Sequence, residues 1–209
     1  MPDSWAMLLL LGAFHGVNPA MGWLFAVALG MQDNRSATVW RALLPIGIGH
    51  TAAIAAAVLL AVAAGAVMPI AVLRWSIAAF LVGFGLLRLA RPRHPRWGSM
   101  RLGSVGLAAW SFLVASAHGA GVMVLPVLLG MSVAESHGAH VHAANGLAAG
   151  VTATAVHSGS YLAVTAFIAW VVFRKLGVGL LRTAWINLDV VWAVALIASG
   201  ALTLLIGWS

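Results

Sequence analysis

Seven consecutive residues, His15-Gly16-Val17-Asn18-Pro19-Ala20-Met21, place an imidazole, an amide, a proline and a thioether inside an otherwise apolar run. A histidine surrounded by hydrocarbon is costly without a polar partner, and a proline removes the amide hydrogen that would bond the carbonyl four residues back. A chain that keeps both in such a run turns them toward protein or water rather than lipid. Three more histidines share apolar surroundings: His50 after Gly47-Ile48-Gly49, His118 before Gly119, and His157 before Ser158. Imidazoles suit a transition-metal ion, and Met21 and Met123 could add thioether ligands, with Asn18 as an amide neighbour. The carbonyls of His15, Arg41 and Val122, four residues before Pro19, Pro45 and Pro126, are expected to be freed for a cation or for water.

The elements that must hold these groups are hydrophobic. The chain has 209 residues, 63% hydrophobic and 7% charged, with a mean hydropathy of +1.03, outside the composition of soluble globular domains. Six stretches have the length of about 20 apolar residues that a spanning helix needs: roughly 5–31, 41–64, 69–89, 102–130, 144–173 and 183–208. The first carries Asp3 before it and no basic leader, so it is expected to be a retained span rather than a cleaved signal. The expected fold class is all-α, a polytopic membrane protein of six transmembrane helices. The absence of cysteine excludes disulfides and thiolate metal sites.

The net charge of +7 reflects arginines beside hydrophobic spans, which set topology, so nucleic acid is not an expected partner. Ten of the eleven Lys and Arg residues flank the first, third and fifth connectors, and only Arg74 falls on the other side. Those connectors are therefore expected to be cytoplasmic and both termini outside. The halves repeat: His15-Gly16 is echoed by His118-Gly119, Leu29-Gly30-Met31 by Leu129-Gly130-Met131, and His50-Thr51 by His157-Ser158. Three spans per copy force the second copy to be inverted, giving one repeat over 1–101 and another over 102–209. At 1.5 Å per residue the four histidines fall about 14 to 20 Å into their spans, near the middle of a core about 30 Å thick. Gly47, Gly49, Gly119, Gly121 and Gly159 are expected to let helices approach closely.

Two further groups lie off the midplane. Asn187 and Asp189, near Arg182, could form an inner gate or a proton relay, or a structural ion pair. The outer connector holds Glu135, His137, His140 and His142, which could capture metal at the surface or serve as a solvated turn.

These motifs resemble the nickel/cobalt transporter superfamily, which includes NicO-type permeases and the membrane proteins that accompany urease and hydrogenase maturation. The likeness rests on the first-span His15-Gly16-x-x-Pro19, on Gly47-x-Gly49-His50, on a third span ending Gly83-Phe84-Gly85-Leu86-Leu87-Arg88, and on His118-Gly119 in the second half. It implies movement of a divalent metal across a bacterial inner membrane. The family's first-span motif runs His-Ala-x-Asp-x-Asp-His, whereas the matching positions here are His15, Gly16, Val17, Asn18, Pro19, Ala20 and Met21. Both carboxylates are replaced and the second imidazole has become a thioether, which favours a softer or singly charged ion such as Cu(I) over Ni(II) or Co(II).

The expected function is therefore transport of a transition-metal ion, Cu(I) or Ni(II), through a midplane site of His15, Asn18, Met21, His50, His118, Met123 and His157. The expected partners are the lipid bilayer and a small inorganic cation, with association of several copies left open. An alternative from another class is a membrane-embedded enzyme in which the four histidines hold a catalytic metal or act as acid and base. A third is an accessory subunit whose polar residues only hold helices together.

Overall fold

The computed structural model describes residues 2–90, 103–135, 143–176 and 188–205. Among these, all regular structure is helical: α1 (Pro2–Val17), α2 (Trp23–Gln32), α3 (Ser36–Val67), α4 (Ile70–Ala90), α5 (Ser104–Ala117), α6 (Ala120–Glu135), α7 (Ala143–Val171) and α8 (Leu188–Leu205). A short 3-10 turn, Pro19–Met21, joins α1 to α2, and a π-helical turn, Val172–Leu176, extends α7. Helix satisfies every backbone donor and acceptor within the segment, which is what apolar surroundings demand of such sequences. Helices α3 and α7 are each long and apolar enough to cross a membrane, and the pair α5 and α6 makes a third candidate span if counted as one.

Large apolar side chains are exposed along the described helices. Leu10, Leu44, Leu60, Val67, Trp75 and Phe80 are more than half exposed, while His15, His50 and His157 are fully buried. Leucines outside and imidazoles inside invert the partition that water imposes, and the arrangement suits a hydrocarbon surrounding.

The first and fourth stretches are not single helices. The first is interrupted between Val17 and Trp23, where Gly22 adopts φ +133°, and the fourth bends by 57° at His118–Gly119, where Gly119 adopts φ +71°. Both values lie where a side chain is rarely tolerated, so a glycine at each break is a conformational requirement. The interruption takes Asn18 out of the helix that carries His15: it caps the 3-10 turn, its Oδ1 accepting from the Ala20 amide at 2.9 Å. It also corrects an expectation, since the His15 carbonyl is not freed by Pro19 but accepts from the Asn18 amide at 3.2 Å. Pro45 and Pro126, by contrast, lie inside helices that run on through them.

Three helix pairs dominate the packing: α1 lies along α7, α3 along α5, and α4 along α8, with α7 also against α3. Without a hydrophobic gain from helix association in hydrocarbon, close backbone approach and interhelical hydrogen bonds must supply the cohesion. Gly12 and Gly16 of α1 provide it on one side. A methyl group at Gly12 would collide with the His157 carbonyl oxygen and sit 2.9 Å from the Ser160 Cβ, and one at Gly16 would sit 2.7 Å from the Tyr161 carbonyl oxygen. The Ser160 hydroxyl donates across this seam to the Leu9 carbonyl at 2.7 Å. On the other side, a methyl at Gly49 of α3 would collide with the Ala108 carbonyl of α5, and the Ser111 hydroxyl donates to the Ile46 carbonyl at 2.7 Å. Gly47 and Gly121 pack equally closely, against Leu162 and against Ala53 and Ala57, but Gly159 meets nothing within 4 Å and so does not hold two helices of this chain together.

Gly12→Ala is therefore expected to destabilise the fold by about 1–3 kcal/mol, the usual cost of overpacking, visible as a lower melting temperature of the detergent-solubilised protein. Gly159→Ala should leave that temperature unchanged, and equal effects from the two substitutions would refute the assignment of the α1–α7 seam.

Candidate functional site

Packing of α1, α3 and α7 brings one histidine from each to the same place. The ring centroids of His15 and His157 are 5.0 Å apart, those of His15 and His50 5.6 Å, and those of His50 and His157 5.8 Å. The glycines of the α1–α7 seam set this up directly. Gly12 and Gly16 flank His15 by three residues and one, so the approach that seats them on the His157 and Tyr161 backbone also delivers His15 to His157. Gly49 precedes His50 and brings α3 equally close to α5.

The histidines differ in how they are held. Nδ1 of His15 donates to the Leu11 carbonyl at 2.7 Å, one turn back in α1. A carbonyl only accepts, so the neutral ring carries its proton on Nδ1 and Nε2 is its lone-pair atom. His118 repeats the arrangement at the end of α5, its Nδ1 donating to Val114 at 2.8 Å. Neither nitrogen of His50 makes a hydrogen bond among the described residues, and the same is true of His157. The Leu8 carbonyl stands beside the His157 ring without adopting hydrogen-bond geometry. Asn18 is also deeply buried, its Nδ2 without a partner among the described residues. Buried polar atoms are nearly always satisfied, so this concentration of bare nitrogens is the most unusual feature of the molecule.

One essential member of the cluster was not apparent from the motifs. Tyr161, the chain's only tyrosine, is fully buried one turn beyond His157. Its ring stacks on His50 with centroids 3.7 Å apart and planes within 14°. Its hydroxyl donates to the Met21 carbonyl in the break between α1 and α2. A lone tyrosine four residues after a histidine in an apolar run is the signal that could have marked it.

Of the expected site residues, then, His15, His50 and His157 come together. His118 is buried at the break between α5 and α6, within electrostatic reach of His15. Asn18 lies in the first break, three residues from His15. Met21 and Met123 are buried within the main apolar core. Among the described residues, no set of three histidine, aspartate or glutamate side chains gathers its ligating atoms as an enclosed metal ion would require. Glu135 ends α6 and Asp189 is the second residue of α8. Asn187, His137, His140 and His142 lie outside the described residues, as do the basic connector at 91–101 and Arg182.

What the arrangement can do chemically follows from this inventory. Buried imidazoles offer lone pairs to a cation or relay a proton between rings, and among the described residues no carboxylate is hydrogen-bonded to them to orient an imidazole for acid–base work. His15 stands in the last turn of α1 and His118 caps the end of α5, and the carboxyl ends of both helices carry partial negative charge that favours a cation there.

Tyr161→Phe keeps the stack on His50 and removes the hydroxyl, with its hydrogen bond to Met21 and its interactions with Thr165 and Ser111. The expected loss is about 0.5–1.5 kcal/mol, read as a lower midpoint in denaturant titration of the solubilised protein. An unchanged midpoint would mean that the hydroxyl does not secure the break.

No family model matches the chain, nor does any curated protein or solved structure.

Proposed function

We propose that the protein is a six-span membrane permease, built as two inverted three-helix repeats, that carries a transition-metal cation through the site formed by His15, His50 and His157. The observation that carries this reading is the convergence of three buried imidazoles, two of them without hydrogen-bond partners among the described residues, at the level of a broken helix. The three rings are neighbours, with centroids 5.0 to 5.8 Å apart.

The repeat is supported by the way the helices pair. The first half of the interrupted first stretch, α1, lies on α7, and its counterpart α5 lies on α3, each seam made by a glycine against a carbonyl and a serine hydroxyl donated across it. The third helices of the two halves, α4 and α8, pack on each other. Discontinuous helices, in which helix ends face a central site, are the usual way secondary transporters handle ions. Asn18, Met21, His118 and Met123 complete the proposed path, Asn187 and Asp189 its inner end, and Glu135, His137, His140 and His142 a collecting group outside. The resemblance to nickel/cobalt transporters belongs to the same proposal, as do an inner-membrane location and external termini.

Two measurements test it. In proteoliposomes, the protein should admit a transition-metal ion to the lumen, and His50→Ala or His157→Ala should reduce the rate at least tenfold; transport that survives both substitutions would sink the reading. Because the chain has no cysteine, single cysteines introduced at Gln32 or Asn34 should react with an impermeant thiol reagent only from the cytoplasmic side. Labelling from outside would refute the orientation.

A further inference from the structure

We infer that an anionic phospholipid occupies the outer groove between α3 and α7, its headgroup phosphate met by Arg35, Arg41, Arg174 and Lys175. The inference requires that α3 and α7 cross a bilayer, as the permease reading does, and is independent of what the histidines carry.

The first ground is the register of the two helices. They run antiparallel, with Gly47 seated on the Leu162 side chain, His50 stacked with His157, and Val58 against Gly150. Along these pairs one helix ascends as the other descends by nearly equal steps, and the same register carried to the helix ends sets Trp40 level with Trp170 and Arg35 level with Arg174. A separate contact agrees. The space beside Gly30 of α2 is closed jointly by Val39 of α3, by the Arg35 carbonyl and by the Phe173 ring. The start of α3 and the π-helical end of α7 therefore meet at one place on α2.

The second ground is what faces outward there. Arg35, Arg41, Arg174 and Lys175 are all exposed. Asp33, in the turn before α3, accepts from the Thr38 hydroxyl at 2.8 Å, and the four cations outnumber this carboxylate beside them. Basic side chains at the end of an apolar span attract anionic lipids, and a guanidinium matches phosphate with two parallel hydrogen bonds. Next inward stand Trp40 and Trp170, 50% and 40% exposed. They lie about 6 to 8 Å from Arg174 and Arg35 at 1.5 Å per residue, at the depth where indoles favour the interface.

The third ground is the groove below them. Leu44 lies one turn before Gly47 and is 69% exposed, and Gly159 lies one turn before Leu162 and meets no neighbouring helix within 4 Å. Residues one turn apart share a helix face, so both line the outer edge of the contact between α3 and α7. Gly159 is about 16 Å deeper than Trp170, within the reach of an acyl chain. Cation, indole and open apolar groove thus follow one another as phosphate, glycerol and acyl chain do in a lipid.

The test mixes the purified full chain in detergent with equimolar phosphatidylglycerol and phosphatidylcholine and counts retained lipids by native mass spectrometry, with size-exclusion profiles recorded for every variant. One phosphatidylglycerol retained with at least tenfold preference is the expected result. Arg35→Gln combined with Arg174→Gln should remove the preference. Arg74→Gln, at the opposite end of α3 where Leu73 meets Gly65, should keep it. Gly159→Leu, which fills the groove far from the cations, should lower retention at least threefold, an effect that charge attraction alone does not produce. Equal retention of the two lipids, a preference that survives the double substitution, or unaltered retention by Gly159→Leu would overturn the inference and leave the permease reading standing. So would inorganic phosphate displacing the lipid at equal concentration, which would mark a free-anion site. A chain that does not float with reconstituted vesicles of the same two lipids would overturn both readings. Should the double variant aggregate, the two single substitutions and Gly159→Leu decide.

Discussion

The structure depends on the approach of α1 to α7 at backbone distance. In hydrocarbon, burying a leucine against another helix gains little over leaving it in lipid, so the helices must be held by contacts that lipid cannot offer. Gly12 and Gly16 remove the side chains that would hold the two backbones apart, and Ser160 then bridges the seam to the Leu9 carbonyl. His15 lies on this seam between the two glycines. The residue that carries polar chemistry is thus positioned by neighbours that carry none, and any side chain added at Gly12 acts on the ring cluster through the backbone of His157.

Among the described residues, two of the apolar stretches lose helical continuity, each beside a buried histidine, whereas α3 runs unbroken over 32 residues and through Pro45. The interruptions fall at Asn18–Gly22 and at His118–Gly119, each with a glycine at positive φ. Free backbone groups at such places are tolerable only when they are met locally, and in the first break they are: Asn18 caps Ala20, the Asn18 carbonyl accepts from Met21, and Tyr161 reaches the Met21 carbonyl.

Much of this was legible from residue types. Hydrophobic length located α3, α4 and α7 to within a few residues, because a long apolar run surrounded by polar connectors has few alternatives to helix. Similar positions of His15, His50 and His157 within their apolar stretches made a meeting of the three rings a reasonable expectation, yet His118, placed at the same depth by that reasoning, lies at the break between α5 and α6. The breaks were harder to read. Pro19 announced a disturbance, but helical periodicity was carried past it, and only the backbone angles place Asn18 as a cap rather than on the His15 face. Nothing in the composition around Gly119 distinguishes it from Gly121, though one bends a helix and the other packs against Ala53 and Ala57. Tyr161 escaped notice because an aromatic residue in a span reads as core until its stack and its hydroxyl partner are seen. Gly159 shows the opposite error, a small residue read as a packing site that faces open space.

Tyr161 has two ends in different parts of the molecule, a ring against His50 of α3 and a hydroxyl on the carbonyl of Met21 in the first break. The phenol is rigid, so it transmits displacement rather than absorbing it. A shift of the Asn18–Gly22 segment that keeps this hydrogen bond must slide or tilt the ring against His50. One that leaves the ring in place must break the hydrogen bond. The tyrosine therefore works as a lever whose fulcrum is α7, making the conformation of an interrupted helix and the posture of an imidazole on a neighbouring helix a single mechanical variable.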